Sequence, residues 1–598
     1  MREFGVPATY TVPDDVAMTD MVTRNAAEHP AAVCYLTPTP DGAWSEVTTA
    51  AFADQVRAVA KGLIATGVEP GDRVALMSAT RYEWMLLDFA IWFAGAVTVS
   101  VYATSSADQV QWILHDSSAA LLIVETGQHR TVAEKAFAHL DSAPTMLQID
   151  AGAVATLTTL GKRVSDADLD TRRRAIGADS AALLIYTSGT TGKPKGVPLT
   201  HGNLAAMVAA ASHRVSALTE PGSRTLLFLP LAHILALSVS LVAFEHRVVV
   251  AHTSDWTRLP TLFAEIEPTG VFAVPRVFEK LYNTAEQRAH GAGRGRLFDR
   301  AARIAIAYSR AVDTGGPGAA LRLEHRLYDR LVYSRLREAL GGACRHALSG
   351  GAPLGERLAH FFRGAGIVIA EGYGLTETTA AITLNGHRPA DQRLGSVGTP
   401  LPGHEIQLAD DNELLVRGPV VFDGYWRNGE ATADSFVDGW FRTGDLASID
   451  RDGYVTITGR KKEIIVTAGG KNISPAPLED ALRAHPLISQ CMVVGDAMPF
   501  VAALVTLDRD ALPGWCERRG LPADTATAQL ISHPDLVAEL DAAVAGVNAS
   551  VSKTEQIKKI RILDVEWSQE TGELTPKLSL KRPAVLHRHA PEIHAIYR

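Results

Sequence analysis

The chain has 598 residues, too many for one compact core, so we expect two or more domains. Apolar residues make up 46% and charged residues 21%, which is typical of a soluble globular protein. The net charge of -8 argues against nucleic-acid binding driven by phosphate neutralisation. The four cysteines have no metal-ligand spacing and are expected to be free thiols of a reducing cytoplasm.

The first residues, 1–10, are not expected to be a secretory signal, since they are polar and contain a proline. Further on, apolar runs alternate with helical patterns, which predicts α/β layers with largely parallel strands. These runs are 73–77, 119–124, 183–185 and 248–251. The longer apolar stretches 86–101 and 228–250 contain charged residues, and the first is shorter than the ~20 residues of a membrane-spanning helix. Both are predicted to be buried helix-plus-strand units. Segments 290–296 and 315–318 are predicted to be exposed loops around a helical insertion.

The texture of the sequence changes at Gly459–Glu463, where glycine and charged residues follow a short predicted strand. A helix over 474–484 and strands over 491–494 and 501–507 are predicted next. We therefore place a domain boundary here, with one domain over 1–459 and a second over 460–598.

The run Tyr186–Gly196 reads Tyr-Thr-Ser-Gly-Thr-Thr-Gly-Lys-Pro-Lys-Gly and follows a predicted buried strand. Its glycines let the backbone approach a polyphosphate, while hydroxyls and lysines supply hydrogen bonds and positive charge. It differs from the P-loop of GTPases, because only two residues separate Gly189 from Gly192 and Pro194 follows Lys193. A solvated turn is the alternative, but eleven residues in this order predict a nucleotide triphosphate site. The candidate phosphate ligands are Thr187, Ser188, Gly189, Thr190, Thr191, Gly192 and Lys193.

Two further runs carry side chains suited to a nucleotide. In Glu371–Thr378, Tyr373 offers a ring for stacking, Thr376 a hydroxyl for the α-phosphate, and Glu377 a hard oxygen for Mg2+. In Trp440–Asp445, Asp445 follows a glycine turn, and its carboxylate can accept hydrogen bonds from both ribose hydroxyls.

Together these runs resemble the adenylate-forming superfamily of acyl-CoA synthetases, peptide-synthetase adenylation domains and luciferases. The likeness extends from about 186 to 582 and is similar to the long-chain fatty acyl-CoA synthetase branch, its mycobacterial and actinobacterial members in particular. Val274–Lys280 resembles a block typical of that branch. The resemblance implies an α/β fold, with a large N-terminal domain of layered sheets and helices and a small, mobile α+β C-terminal domain.

The implied activity converts a long-chain fatty acid to acyl-AMP with ATP and Mg2+, then forms a thioester with coenzyme A. Lys462 occupies the hinge position between the two domains. At the nucleotide, the resemblance implies Gly350, Gly351 and Ala352 for adenine, Glu371, Gly372 and Gly374 beside Tyr373, and Arg460 for ribose or phosphate. It implies Thr190 with Glu377 at the metal. It also implies His233 between the phosphate and acyl sites, and Gly469 and Gly470 at the pantetheine channel.

The sequence departs from the branch near its end. The pattern Thr-Pro-x-x-Lys-x-Lys-Arg is expected, but Ser579 stands at the first of its two lysine positions. A hydroxyl cannot replace an ammonium ion at a developing phosphate charge, where such donors often contribute ~3 kcal/mol. Lys577 or Lys581 would share a face with Ser579 on a strand and could supply the charge. Alternatively the protein adenylates slowly while still forming thioesters, or this residue has been altered in the chain.

Two other functions stay open: a fatty acyl-AMP ligase that loads a carrier protein, and an adenylation-impaired acyl-adenylate binding protein. Aryl or medium-chain acids also stay open as substrates. A cytoplasmic location is predicted, with no nucleic-acid partner. Peripheral contact with the inner face of the plasma membrane stays open, because a fatty substrate partitions into membranes.

Overall fold

The computed structural model describes residues 1–187, 193–575 and 579–598. In its larger, N-terminal part the strands are β1 (Glu3–Val6), β2 (Val33–Pro38), β3 (Trp44–Thr48), β4 (Arg73–Ser78), β5 (Val97–Tyr102), β6 (Leu121–Val124), β7 (Thr145–Gln148), β8 (Ala181–Thr187), β9 (Lys195–Thr200), β10 (Arg224–Leu227), β11 (Val249–His252), β12 (Gly270–Ala273), β13 (His346–Ser349), β14 (Val368–Leu375), β15 (Ala380–Leu384), β16 (Thr399–Pro400), β17 (His404–Leu408), β18 (Glu413–Arg417), β19 (Phe436–Val437), β20 (Trp440–Ile449) and β21 (Val455–Arg460).

The helices of this part are α1 (Thr19–Glu28), α2 (Thr49–Ala65), α3 (Tyr82–Phe93), α4 (Ala107–Ser117), α5 (Gly127–Phe137), α6 (Ala153–Gly161), α7 (Asp166–Arg174), α8 (His201–Ser212), α9 (Ile234–Glu245), α10 (Leu259–Ile266), α11 (Pro275–Gly291), α12 (Gly295–Asp313), α13 (Ala319–Tyr328), α14 (Ser334–Glu338), α15 (Glu356–Gly364) and α16 (Gly429–Ser435).

Parallel pairing dominates the sheets that carry the predicted motifs. One sheet has the order β7-β6-β4-β5-β8, all parallel, and β9 adds to it antiparallel. A second has β12-β13-β14 parallel, followed by antiparallel β15 and β16. A third has the order β10-β11-β2-β3, and a fourth is antiparallel, with β1-β17-β18-β20 flanked by β19 and β21. Because the carboxyl ends of parallel strands share one edge of their sheet, the segments that follow β13 and β14 lie side by side. The segment that follows β8 leaves a different sheet.

The two long apolar stretches form buried helix-plus-strand units, as predicted. The first becomes α3 and β5, in which every residue from Trp84 to Phe93 is buried. The second becomes α9 and β11, and α9 is buried from Ala236 to Phe244. Each described helix is too short or too polar to cross a bilayer.

The C-terminal part has its own strands and helices. They are β22 (Ile465–Val466), β23 (Asn472–Ile473), β24 (Ile488–Val494), β25 (Val501–Leu507), β26 (Ile557–Leu563), α17 (Ala476–Arg483), α18 (Leu512–Arg518), α19 (Thr527–Leu530), α20 (Pro534–Asn548), α21 (Arg582–Arg588) and α22 (Ala590–Tyr597). Its apolar core begins at Ile465, whereas the core of the larger part ends at Val455. The boundary between 459 and 460 falls in this interval and stays a prediction.

One local expectation needs refinement, whereas the expectation of free thiols agrees with the structure. The predicted loop over 290–296 is largely helical, since α11 extends to Gly291 and α12 begins at Gly295. The cysteines Cys34, Cys344, Cys491 and Cys516 are all buried free thiols.

Candidate active site

Asp445 lies at the centre of a group of polar side chains on β14, β20 and β21. The Tyr373 hydroxyl donates to Asp445 Oδ2 at 2.6 Å, and Arg460 Nε lies 3.0 Å from Asp445 Oδ1. Asp445 and Arg460 face each other because β20 and β21 pair at these residues. Only 3% of Asp445 is exposed, and this burial raises its pKa, which the Arg460 charge partly opposes. Each carboxylate oxygen keeps a lone pair for a further donor.

The turn before Asp445 is held by Glu413 of β18. Gly444 has a positive φ of 72°, and its N–H donates to Glu413 Oε1 at 3.1 Å. Glu413 also pairs with Arg442 at 2.9 Å and with Lys461 at 3.0 Å. Glu413 was not among the residues predicted from the sequence, although a carboxylate beside the apolar run Leu414–Val416 was a usable signal.

Glu377 is linked to the predicted phosphate loop through Tyr425. The Tyr425 hydroxyl donates to Glu377 Oε1 at 2.9 Å, and Lys195 Nζ lies 4.6 Å from the centre of the Tyr425 ring. Tyr425 was also missed, because its sequence context gives no sign of a partner 48 residues away.

The predicted phosphate loop joins β8 to antiparallel β9. Thr187 pairs with Lys195 across this hairpin. Lys193 Nζ lies 4.1 Å above the Trp112 ring, and Trp112 Nε1 donates to the Pro194 carbonyl at 2.9 Å. Five other predicted phosphate ligands lie outside the described residues: Ser188, Gly189, Thr190, Thr191 and Gly192. Thr190 is also a predicted metal ligand.

The predicted adenine loop connects β13 to α15. Gly351, at φ 84°, and Ala352 are exposed, while a Cβ on Gly350 would lie 3.7 Å from the Gly372 carbonyl oxygen. This loop is fixed to β14 by Glu371, whose Oε2 accepts from the Leu354 N–H at 3.0 Å. Burial raises the pKa of Glu371 to about 7.

The close approach of β14 to β15 requires a glycine at position 374. A Cβ on Gly374 would lie 1.5 Å from the Ala380 carbonyl oxygen, so only glycine fits where β14 approaches β15. Thr376 is buried at the start of the 3-10 turn that follows β14, one residue before Glu377.

His233 caps α9. It is buried, and its Nδ1 accepts from the Leu235 N–H at 3.1 Å. Leu235 lies 3.6 Å from the position of a Cβ on Gly350, so this helix start borders the predicted adenine loop. The cap is a structural role; participation in catalysis stays a prediction.

Lys462, Gly469 and Gly470 lie in the C-terminal part. Lys462 is exposed in a 3-10 turn that follows Arg460. Gly469 and Gly470 form the tip between β22 and β23, where the Gly470 N–H donates to the Thr467 carbonyl at 2.8 Å. The pantetheine and hinge roles stay predictions.

The described residues around Ser579 pair antiparallel with the residues before the segment 576–578. Leu580 makes an isolated bridge with Leu574, and Lys581 immediately precedes α21. Thr575 N–H donates to the Ser579 carbonyl at 2.8 Å. The helix α21 begins only after Lys581, so the shared face of Ser579 and Lys581 stays a prediction. Lys577 lies outside the described residues.

Comparison with known proteins agrees with this arrangement. The family model of AMP-binding enzymes matches residues 22–426, and the model of the AMP-binding enzyme C-terminal domain matches residues 462–598. The chain belongs to the AMP-binding enzyme family. This confirms the resemblance and the predicted fold class, with a large N-terminal and a small C-terminal domain.

Relatives and solved structures match over nearly all of this family member. It is 52% identical to the long-chain-fatty-acid–CoA ligase FadD15 of Mycobacterium tuberculosis, over 100% of both chains. It is 30% identical to the long-chain-fatty-acid–CoA ligase ACSBG1 of Bos taurus, covering 93% of this chain and 82% of the relative. The fold is similar to that of an anthranilate–CoA ligase in complex with anthranoyl-AMP, with a TM-score of 0.71, 20% identity and coverage of 98% and 99%. It is also similar to a Mycobacterium tuberculosis fatty acyl CoA synthetase, with a TM-score of 0.62, 22% identity and coverage of 96% and 99%.

Proposed function

We propose that this AMP-binding enzyme is a long-chain fatty acid–CoA ligase. The observation that carries the proposal is the continuous group of contacts around β14. Lys195, Tyr425 and Glu377 form one branch of it, and Tyr373, Asp445 and Arg460 form the other. The full-length similarity to ligases named for long-chain fatty acids supports the acyl substrate.

In the first step, a fatty carboxylate oxygen attacks the α-phosphorus of ATP. The bond from that phosphorus to the bridging oxygen breaks, and pyrophosphate leaves with its electron pair. Catalysis of such a transfer consists mainly of positioning and charge stabilisation. Asp445 accepts hydrogen bonds from the ribose hydroxyls, and Thr376 donates a hydrogen bond to the α-phosphate. Tyr373 stacks on adenine, which lies against the loop of Gly350, Gly351 and Ala352.

The donor chemistry at Glu377 fits Mg2+. The Tyr425 hydroxyl donates one hydrogen bond to Glu377 Oε1. The remaining lone pairs of the Glu377 carboxylate stay available for a hard cation. Glu377, with Thr190 as the second protein oxygen, would hold the ion, which when bound neutralises phosphate charge. Tyr425 orients the carboxylate, and Lys195 adds positive charge next to the same ring.

In the second step, the coenzyme A thiolate attacks the acyl carbonyl, and AMP leaves as the carbon–oxygen bond breaks. The C-terminal domain, 460–598, turns about Lys462 so that Gly469 and Gly470 border the pantetheine arm. One site thus serves two reactions through a hinge motion.

The test follows pyrophosphate and acyl-CoA together, with purified protein, Mg-ATP and palmitate, in the presence and absence of coenzyme A. Formation of both products, with repeated turnover that requires coenzyme A, supports the ligase. Pyrophosphate without acyl-CoA would instead identify a fatty acyl-AMP ligase that loads a carrier protein. Absence of both products, with retained ATP binding, would identify an adenylation-impaired binding protein.

A further inference from the structure

Helix α13 and the π-helical turn over Asp329–Tyr333 expose a line of leucines. Leu323, Leu327 and Leu331 are 71%, 55% and 41% exposed. Residues four apart lie on one side of a helix, and the wider π-helical turn reduces the angular drift between Leu327 and Leu331. A single exposed leucine is ordinary, but three in a line form an apolar patch typical of an interaction surface.

Arginines flank this line. Arg322, Arg326 and Arg330 each directly precede one of the leucines, and Arg335 lies one turn after Leu331. All four arginines are exposed, and none has an ion-pair partner within the described residues. Two neighbouring carboxylates are already engaged, since Glu324 pairs with Arg300 at 2.6 Å and Asp329 with Arg337 at 2.7 Å. Glu338 is also exposed, but its single charge is outnumbered by the four arginines. The surface therefore presents positive charge, although the net charge of the chain is -8.

The opposite side of the same helix is firmly anchored. His325 Nε2 lies 2.6 Å from the Gly364 carbonyl oxygen, to which it donates, and its ring stacks on Tyr308 at 3.9 Å. Tyr333 is fully buried, and its hydroxyl donates to the Ala301 carbonyl at 2.7 Å. Because these contacts fix the rotation of the helix, the leucines cannot turn inward.

We propose that this leucine–arginine face, formed by Leu323, Leu327, Leu331, Arg322, Arg326, Arg330 and Arg335, docks on an anionic membrane surface. The leucines enter the boundary between headgroups and acyl chains, and the guanidinium groups bind lipid phosphates. Charge favours lipid over a second copy of the chain, because two copies would bring like-charged arginines face to face. The proposal is independent of the function proposed above.

The test is cosedimentation of the full-length protein with vesicles. One set contains phosphatidylcholine alone, and the other contains equal parts of phosphatidylcholine and phosphatidylglycerol. Binding to the anionic set is expected, and added salt should weaken it. The triple variants Leu323→Ser/Leu327→Ser/Leu331→Ser and Arg322→Gln/Arg326→Gln/Arg330→Gln should each lower the partition coefficient about tenfold or more.

Matched controls come from exposed residues elsewhere. Leu586, 46% exposed on α21, and Arg451, 93% exposed, provide Leu586→Ser and Arg451→Gln, which should bind vesicles like the wild type. Equal melting temperatures establish that the variants are folded. Wild-type protein that ignores anionic vesicles, or triple variants that still bind them, would overturn the proposal. So would a vesicle-free dimer, measured by light scattering, that the leucine variant dissociates, because the occupant would then be a second copy.

Discussion

Asp445 receives hydrogen bonds from Tyr373 and Arg460 while it is almost fully buried. Replacing it by asparagine preserves its shape but removes its charge and one acceptor oxygen. A hydrogen bond to a charged group contributes about 1.5–3 kcal/mol, so Asp445→Asn should weaken ATP binding by about tenfold to a hundredfold. Isothermal titration calorimetry measures this directly, without turnover. The exposed Asp434→Asn on α16 is the control, and equal ATP affinity of wild type and Asp445→Asn would exclude the ribose role.

Asp88 is a buried carboxyl group away from the nucleotide residues. Trp84 Nε1 donates to its Oδ2 at 2.9 Å, and burial raises its pKa to about 7. The folded state therefore holds a proton that the unfolded chain releases near pH 4. The stability that this proton contributes is complete below about pH 4 and is lost as the pH rises to about 7.

The variant Asp88→Asn, which lacks the titrating carboxyl group, tests the direction of this pH dependence of stability. Each pKa unit corresponds to about 1.4 kcal/mol, so wild type should lose on the order of 4 kcal/mol relative to Asp88→Asn between pH 4 and pH 7. Urea unfolding of both proteins across this range measures the difference. The exposed Asp54→Asn on α2 should follow the wild-type profile. Parallel profiles for wild type and Asp88→Asn would show that Asp88 does not change protonation on unfolding.

At the scale of elements, Ser579 stands shortly before α21, at the position where the family pattern has a lysine. The backbone N–H of Lys581 donates to the Glu573 carbonyl at 2.7 Å, and Lys581 immediately precedes α21, two residues beyond the expected lysine position. A lysine at Ser579 should therefore add a positive charge that the present sequence lacks there. Ser579→Lys is expected to accelerate adenylation by up to about a hundredfold, equivalent to ~3 kcal/mol.

The measurement is pyrophosphate release with palmitate and without coenzyme A. Thioester formation from supplied acyl-AMP should stay unchanged, because it does not require charge stabilisation at the departing pyrophosphate. The exposed Ser552→Lys is the control for an added charge in the same domain. An unchanged adenylation rate in Ser579→Lys would indicate that another cation, such as Lys577, already serves the site.

The sequence predicted those elements whose pattern is local. Apolar runs predicted α3 with β5 and α9 with β11, because burial on all sides leaves a continuous apolar sequence. It did not predict Glu413 or Tyr425, whose partners are distant in the chain and meet them only after the sheets assemble. Alternation around Ser579 likewise gives no sign of the antiparallel pairing with Leu574 and Thr575, which forms only when the chain folds back.

At the scale of the whole molecule, α11 forms two ion pairs with the C-terminal part of the chain. Arg276 Nη2 lies 3.4 Å from Asp508 Oδ2, and their side chains are only 22% and 16% exposed. Lys280 and Asp510 form a second pair at 3.0 Å, but both side chains are mostly exposed. The first pair is therefore screened less by solvent and should contribute more. Both basic residues belong to the Val274–Lys280 run, so this run has a structural role at the domain interface.

Charge reversal at this interface should change the balance between domain arrangements. Arg276 also pairs with Glu279 at 3.3 Å, so Arg276→Glu places three carboxylates together. It should lower the population of the present arrangement by about fivefold to thirtyfold, equivalent to about 1–2 kcal/mol. Fluorescence energy transfer between dyes on the two domains measures this population. Lys280→Glu is the matched control and should change it less, because its pair is exposed. The double variant Arg276→Asp/Asp508→Arg should restore the wild-type distance distribution, since it swaps the charges and keeps the attraction. If it fails to do so, or if Arg276→Glu leaves the distribution unchanged, then packing rather than this ion pair fixes the arrangement.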